Sequence, residues 1–389
     1  MEQKFETTVL HGTKKNQGNI KSKTMPIYQT SAFSFGGLEE LEGYYHGEGN
    51  YLYSRVGNPN TDELGTAVAV LEGAPVGVAA SSGLSAILAG ILAVAKSGDH
   101  IVAAADVYGG SYFMLESELR DLGVETTFVP FGDLGNVEKA IRPNTKLLYT
   151  ESITNPFLRV ENIEGVVAIA KEHGLYTMVD NTFATPYHCK PFLTGVDLVA
   201  HSATKYIGGH SDVTAGVIVG EESLMAKVRS RVVNMGSNLS PFEAWLACRG
   251  LKTLALRMKA QSGNACKLAE ALRENEGVEE VYYPFGEVGA DAGDGARDCG
   301  GYGAVVTIRL AGAVNVDRFF SSLQWVKIVP TLAGVETSVS HPLTTSHRAL
   351  PKEAQEALGI TNAVVRISVG IEDSGDIVRV FESAIRAGL

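Results

Sequence analysis

The chain has 389 residues, 45% of them hydrophobic and 20% charged, and its 33 basic against 44 acidic residues give a net charge of −11. That length asks for two domains rather than one small core, and the acidic balance argues against a nucleic-acid partner, which wants a basic face. The longest apolar stretch, Leu84 to Ala95, is interrupted by Ser85 and Gly90 and falls short of the roughly 20 residues of a bilayer span, so no membrane partner is expected. Residues 1–50 carry weak periodicity with many glycines and tyrosines, and read as an arm that packs on another subunit. A large domain is assigned to 51–245. Its strand candidates are Val76–Ala80, His100–Ala105, Glu125–Phe131, Lys146–Thr150, Leu175–Val179, Asp197–His201 and Ala215–Val219. Helical stretches at Leu84–Ala95, Ser111–Leu122 and Ile163–Glu172 lie between them, punctuated by Asp99, Gly123 and Gly174. Near-continuous apolar strands alternating with helices predict an α/β architecture with a mostly parallel, doubly covered sheet.

A long helical pattern from Phe242 to about Arg273 follows Ser240-Pro241, broken only by Gly250 and Gly263, and leads out of the sheet. The C-terminal part, 246–389, reads as a smaller α+β domain with strands at Ala304–Leu310, Trp325–Ile328 and Val364–Val369, and a last helix from Gly375. Gly286 to Gly303 is expected to be an exposed loop. Cys189, Cys248, Cys266 and Cys299 are scattered without a CxxC pair, which suits reduced thiols in the cytoplasm better than a disulfide frame or a zinc site. Cys189 beside His188 lacks a matching second pair, so no metal is expected. The N-terminus shows no apolar core of a secretion signal.

The most informative segment is Ser202-Ala203-Thr204-Lys205-Tyr206-Ile207, ahead of Gly208-Gly209 and just past an apolar run. A lysine at the end of a buried strand has its pKa lowered readily and suits Schiff-base chemistry with carbonyl compounds. Ser202 and Thr204 are short donors suited to a phosphate. Amine and phosphate site together point to pyridoxal phosphate; the alternative is a surface turn with an ordinary lysine.

Ligands of open α/β sheets sit beyond the carboxyl ends of the strands. Five such ends here carry useful chemistry. Ser81-Ser82-Gly83-Leu84 opens a helix whose free N–H groups favour a phosphate. Asp106-Val107-Tyr108 offers an aromatic that can stack on a ring and act as acid or base, or else a core tyrosine. Glu151 and Thr154-Asn155-Pro156 follow the fourth strand, and Asn155 can donate to a ring phenolic oxygen or simply serve the turn. Asp180 can keep a pyridine nitrogen protonated, or cap a helix. Tyr53-Ser54-Arg55 adds an arginine whose planar fork matches phosphate. Arg366, inside an apolar strand pattern, needs an anion: a substrate α-carboxylate or an Asp/Glu partner.

These segments resemble the Cys/Met-metabolism family of pyridoxal phosphate (PLP) enzymes, which includes cystathionine γ-synthase, cystathionine γ-lyase, methionine γ-lyase and O-acetylhomoserine sulfhydrylase. The likeness is carried by Ser202–His210, Asp180-Asn181-Thr182-Phe183, Tyr53-Ser54-Arg55-x-x-Asn58-Pro59 and Arg366-x-Ser368-Val369-Gly370, and runs from about residue 5 to the C-terminus. It implies an aspartate-aminotransferase-like (type I) fold and a homotetramer built as a dimer of dimers with shared active sites. It further implies Lys205 as the Schiff-base lysine, Asp180 as pyridinium partner, Tyr108 as stacking tyrosine and Arg366 as carboxylate-binding arginine. Tyr53 and Arg55 would reach the phosphate of the neighbouring subunit's cofactor. Departures bear on substrate. Phe113 replaces an arginine found in members that use cystathionine or O-succinylhomoserine, which favours a neutral far end. Gly110 stands where methionine γ-lyases usually carry cysteine. In Pro330-Thr331-Leu332-Ala333-Gly334, Pro330 takes the place of a glutamate of cystathionine γ-lyases, and Asn60 that of a threonine. Thr331, Phe113 and Tyr53 join Arg366 as substrate-side candidates.

The reaction expected is γ-elimination on a sulfur or O-acyl amino acid, giving a 2-oxo acid, ammonia and a thiol. Lys205 would move protons between the α- and β-carbons, assisted by Tyr108. Gamma-replacement and a β-lyase acting on cystathionine or cysteine conjugates are alternatives. A nicotinamide oxidoreductase would want G-x-G-x-x-G after the first strand, which Ser81-Ser82-Gly83 does not supply. A non-catalytic regulatory protein on the same fold would be expected to have lost the lysine or the aspartate, and both are present.

Overall fold

The computed structural model describes residues 3–13, 22–49, 51–284, 303–348 and 350–389. The expected loop at 286–303 therefore lies almost wholly outside the described residues.

Seven strands build the first sheet: β1 (Val76–Ala80), β2 (His100–Ala104), β3 (Glu125–Val129), β4 (Thr145–Glu151), β5 (Tyr176–Asp180), β6 (Leu198–Ser202) and β7 (Gly216–Gly220). Each expected strand is found within two residues of its bounds. The spatial order is β1-β7-β6-β5-β4-β2-β3. Only β7 runs against its neighbours; β6, β5, β4, β2 and β3 pair in parallel. Strands covered on both faces cannot alternate polar and apolar residues, and β2 and β7 are accordingly buried at every position. Two apolar clusters fill the two faces, one around Ile101, Leu148 and Leu115, the other around Leu64, Val199 and Leu254.

One covering helix, Pro59–Glu72, is absent from the expectations above. Its ends are well marked: Asn58 caps it by accepting from Asn60 N, Pro59 opens it, and Gly73 closes it at φ 79°. It lies so close to β1 that a Cβ on Gly65 would stand 2.4 Å from the carbonyl oxygen of Gly77. The departure at Asn60 has a structural purpose. Its buried amide accepts from Tyr28 N and donates to Pro26 O, both at 2.8 Å, and so ties the N-terminal segment to this helix.

Two expected helices are interrupted. The stretch at Ser111–Leu122 becomes Gly109–Phe113, a π-turn at Met114–Glu118 and a final turn Leu119–Asp121. The pattern from Phe242 to Arg273 divides into Pro241–Leu251 and Leu254–Arg273. At that break the Gly250 carbonyl accepts from Thr253 N, Thr253 Oγ1 and Arg257 Nη2, which turns the chain.

The second sheet has five strands, β8 (Val278–Tyr282), β9 (Val305–Leu310), β10 (Lys327–Ile328), β11 (Ser338–Ser340) and β12 (Val364–Ser368), in the order β10-β11-β12-β9-β8. The last helix, Ser374–Gly388, is capped by Asp373 and buries Ile377, Val380, Phe381, Ala384 and Ile385, one face at helical spacing. With Leu268 and Leu272 of Leu254–Arg273 it covers this sheet and forms a third core. The two sheets meet where β9 and β12 touch the chain after β4: Thr307 Oγ1 donates to Pro156 O, 2.6 Å, and Arg366 reaches Asn155.

Candidate active site

A cavity of about 220 Å³ opens at the carboxyl ends of the parallel strands, where an open α/β sheet places its ligands. Residues after β1, β2, β4, β5 and β6 converge there, and Pro330, Leu332, Ser346 and Arg366 close it from the second sheet's side.

One end of the cavity is built from hydroxyls and a helix start. Ser82 is extended (φ −160°, ψ 167°) and its Oγ accepts from Ser85 N at 3.1 Å, which begins Gly83–Val94. Gly83 is needed for closeness: a Cβ there would lie 2.7 Å from Ser202 Cβ. Leu84 and Ser202 also line the cavity. Thr204 lines it too, while its hydroxyl is held by Ala215, donating to the carbonyl at 3.2 Å and accepting from the amide at 3.0 Å.

Lys205 sits on the turn that follows β6, where Lys205 N donates to Ser202 O and Gly209 N to Lys205 O. Its Nζ donates to Thr331 Oγ1 at 2.8 Å. Burial, helped by the Arg366 charge, lowers its pKa to about 8. Asp180 ends β5. Burial raises its pKa, opposed by hydrogen bonds from Thr182 and by the charge on His201. Both Thr182 donors, backbone N and Oγ1, go to Oδ1, and Oδ2 accepts no hydrogen bond among the described residues.

Tyr108 stands at the mouth, 42% exposed. Its backbone N–H donates to Glu151 Oε1 at 2.7 Å. Gly110 leaves room for the tyrosine ring, because a Cβ there would meet Tyr108 Cε1 at 2.5 Å. Asn155 accepts from Arg366 Nη1 through Oδ1 at 2.9 Å, and its carbonyl is 3.0 Å from His347 Nε2. Arg366 is only 3% exposed and has no carboxylate within ion-pairing distance among the described residues. The Asp or Glu partner that a buried arginine would ordinarily require is therefore missing. Burial lowers its pKa to about 10.

Four sequence candidates lie off the cavity wall of their own chain. Thr331 touches it only through Lys205. Phe113 ends the helix Gly109–Phe113 and is 48% exposed, outside the lining residues, so within its own chain it does not make the cavity wall apolar. Tyr53 pairs with Ala32 in an isolated bridge, and Arg55 donates to Val233 O at 3.3 Å, with its guanidinium 5.6 Å from the Tyr53 ring centroid. Neither lines the cavity that holds Lys205; Arg55 lines a separate crevice with Val78, Ala79, Arg229 and Val233. Conversely, Glu151, Thr182, Phe183 and Ser346 line the cavity and were not singled out as site residues. The first three sit at or just past strand ends and were legible there; Ser346 comes from a distant turn and carried no signal.

These residues fit pyridoxal phosphate. Hydroxyls and the first N–H groups of a helix start suit a phosphate, a depressed lysine amine suits an aldehyde, and Asp180 holds one oxygen in reserve for a pyridinium N–H. Gly83 and Gly110 leave the room such a group needs.

Residues 6–386 match the family model of the Cys/Met metabolism PLP-dependent enzymes. The chain belongs to that family. Cystathionine γ-lyase of Bacillus subtilis is 40% identical over 376 residues, spanning 96% of this chain and 97% of the relative. Cystathionine β-lyase of Lactococcus lactis subsp. cremoris is 37% identical over 386 residues, 98% of each chain. The crystal structure of cystathionine γ-lyase from Lactobacillus plantarum complexed with L-serine superposes with a TM-score of 0.91 at 36% identity, covering 99% of both chains. The family member described here thus has the type I PLP fold, with a mostly parallel large sheet and a smaller α+β C-terminal part, and is a PLP-dependent enzyme. Among the described residues no group of His, Cys, Asp or Glu could hold a metal ion, and no helix is long and apolar enough to cross a membrane.

Proposed function

We propose that the protein cleaves the γ-bond of a sulfur or O-acyl amino acid, releasing a 2-oxo acid, ammonia and a thiol. The observation that carries this reading is Arg366: a buried guanidinium with no ion-paired acid among the described residues, in the same cavity as the Lys205 amine. A buried unpaired charge is costly, and an α-carboxylate would relieve it while setting the substrate's α-carbon beside the lysine. When bound, PLP supplies an aldehyde for an amine and a protonated ring that withdraws electrons from the α-carbon. Ser82, Gly83, Leu84, Ser202 and Thr204 would hold its phosphate, Asp180 its ring nitrogen, Asn155 its phenolic oxygen, and Tyr108 its face.

Lys205 Nζ, with a pKa near 8, is matched to taking a proton from the α-carbon and returning one further along the side chain. Tyr108, at the mouth, gives or takes the proton on the departing group. Among the described residues, Lys205 and Arg366 are the only cations that this chain contributes to the cavity wall, an arrangement that suits a substrate with one carboxylate and a neutral side chain. A second reading is β-elimination from cystathionine, favoured by the 37% identity to a cystathionine β-lyase; γ-replacement on an O-acyl homoserine uses the same groups.

The site belongs, in this reading, to a homotetramer arranged as a dimer of dimers. Residues 1–50 form the exchanged arm, 51–245 the large domain and 246–389 the small one. Tyr53 and Arg55, which do not line the cavity of their own chain, serve the neighbouring subunit's phosphate. Cys189 and Cys248 are free thiols, in keeping with a cytoplasmic setting.

Incubating the protein with methionine, cystathionine, homocysteine and O-acetylhomoserine, with and without sulfide, and identifying products by mass, tests the reaction. We expect 2-oxo acid and ammonia from a γ-substituted substrate, abolished in Lys205→Ala; pyruvate alone, or full activity in the lysine variant, would overturn it.

A further inference from the structure

Glu151 is a buried carboxyl in the cavity wall, 5% exposed, to which the reading above gives no task. It ends β4, between β2 and β5. Its Oε1 accepts the Tyr108 N–H at 2.7 Å, the one hydrogen bond made by that amide among the described residues. Beyond that, the Tyr108 carbonyl accepts from Tyr112 N at 2.9 Å within the same turn, a contact that does not tie the turn to β4. Gly109 behind it packs on the Ser346 carbonyl, where a Cβ would stand 2.1 Å from the oxygen, and Gly110 merely makes room for the ring. The short helix that begins there has no side-chain cap.

We propose that Glu151 is a positioning residue for Tyr108: its buried carboxyl, reaching across from the neighbouring strand, grips the tyrosine's amide and sets where the ring lies over the cavity. This rests on the role of Tyr108 proposed above.

Charge in the surroundings decides the form in which Glu151 does this. Glu151 and Asp180 are paired in register on β4 and β5. Asp106, from the loop after β2, adds a second nearby acid. Arg159, from the chain after β4, is already engaged by Asp106 at 3.0 Å and by Glu161 at 3.1 Å. Arg366 faces it from β12 and has Asn155 as its partner. Two buried carboxyls side by side do not both ionise cheaply. Asp180 receives two donors from Thr182 and Glu151 receives one from Tyr108, so the ionised member is Asp180 and the proton stays on Glu151. Burial and the Asp180 charge push Glu151 well above the usual carboxylate range, in the same sense. A neutral carboxyl that accepts one N–H is closely imitated by glutamine and not by alanine.

The test uses the PLP-loaded enzyme and its E151Q, E151D and E151A variants. The visible circular dichroism of the bound cofactor reports how the tyrosine sits against it, and is read together with kcat, KM and their pH profiles. E151Q should keep the wild-type dichroism, kcat and pH profile. E151A should lose much of the dichroic band and about 100-fold in kcat, the loss that goes with a misplacement of about 1 Å. E151D, one methylene short, should fall between them, and it decides the matter if E151A does not fold. Wild-type dichroism and kcat in both E151A and E151D would overturn the proposal, and so would an E151Q as impaired as E151A, because the ionised form would then be required. If the wild type released no 2-oxo acid from any substrate, the proposed reaction would fail, while the dichroism of the variants would still judge Glu151.

Discussion

Arg366→Met replaces a buried cation with an apolar chain of similar length, and the structure sets what should follow. In the wild type the guanidinium is 3% exposed and has Asn155 Oδ1, 2.9 Å away, as its one hydrogen-bond acceptor among the described residues. With no carboxylate within ion-pairing distance among the described residues, its charge finds full compensation only when an anionic substrate binds. Removing one member of a buried, hydrogen-bonded charge pair costs about 2–5 kcal/mol. At about 1.4 kcal/mol per tenfold, kcat/KM for an α-amino acid should fall roughly 30- to 4000-fold. Most of the loss belongs in KM, since the carboxylate is held in ground and transition states alike. The folded protein should not suffer. The variant relieves an uncompensated buried charge and in exchange leaves the Asn155 oxygen without a donor, a loss of about 1–3 kcal/mol. The opposing effects leave Tm close to its original value. The assay compares each amino acid with its methyl ester, in both proteins. Wild type should prefer the free acid and R366M should treat the two alike. R366K, with a charge but no planar fork, should lie between. An R366M variant that lost as much on the ester as on the acid, or that lost nothing on either, would refute the reasoning.

Lys205 offers a pH test. Its pKa falls to about 8 in the fold against an ordinary value of 10.5, so between those limits the unfolded chain binds the extra proton. Stability of the cofactor-free protein should therefore rise with pH across that window and lose this contribution as pH drops through 8. Denaturant titrations at several pH values should show this slope in wild type and not in Lys205→Met; equal slopes would contradict the assignment. Gly110→Ala should crowd the Tyr108 ring, given the 2.5 Å approach of a Cβ, and lower kcat about 10- to 100-fold without lowering Tm; unchanged kcat would mean the ring's position is not used. Arg55→Ala and Lys205→Ala, each inactive alone, should regain part of the activity when unfolded and refolded together, because one mixed site then carries both native residues. Failure of mixing to restore activity, while each variant still assembles, would argue against sites shared between subunits.

Much of this molecule could be read from its residues because strands buried on both faces have no polar face to confuse the pattern. Val76–Ala80, His100–Ala104 and Gly216–Gly220 are recognisable as short apolar runs, and the residues just past them are chemical because that is where the sheet ends. Lys205, Asp180, Tyr108, Asn155 and Ser202 follow from that rule alone. The helix Pro59–Glu72 was legible too, through Asn58, Pro59 and Gly73, though its weakly periodic sequence hid it.

Contacts between distant segments were decided only by the fold. No spacing says that Thr331 meets Lys205 Nζ across 126 residues, that Arg366 finds an amide rather than an acid, or that Phe113 turns outward from the wall. Nor does any local pattern show Arg55 in a crevice with Arg229 and Val233, or the Glu151 carboxyl closing on the Tyr108 amide. Strand identity is a property of neighbouring residues, set by burial and backbone geometry. Which side chains share a cavity depends on the order β1-β7-β6-β5-β4-β2-β3 and on a second sheet folding back over it, and chain closure of that length leaves no mark on the segments it joins.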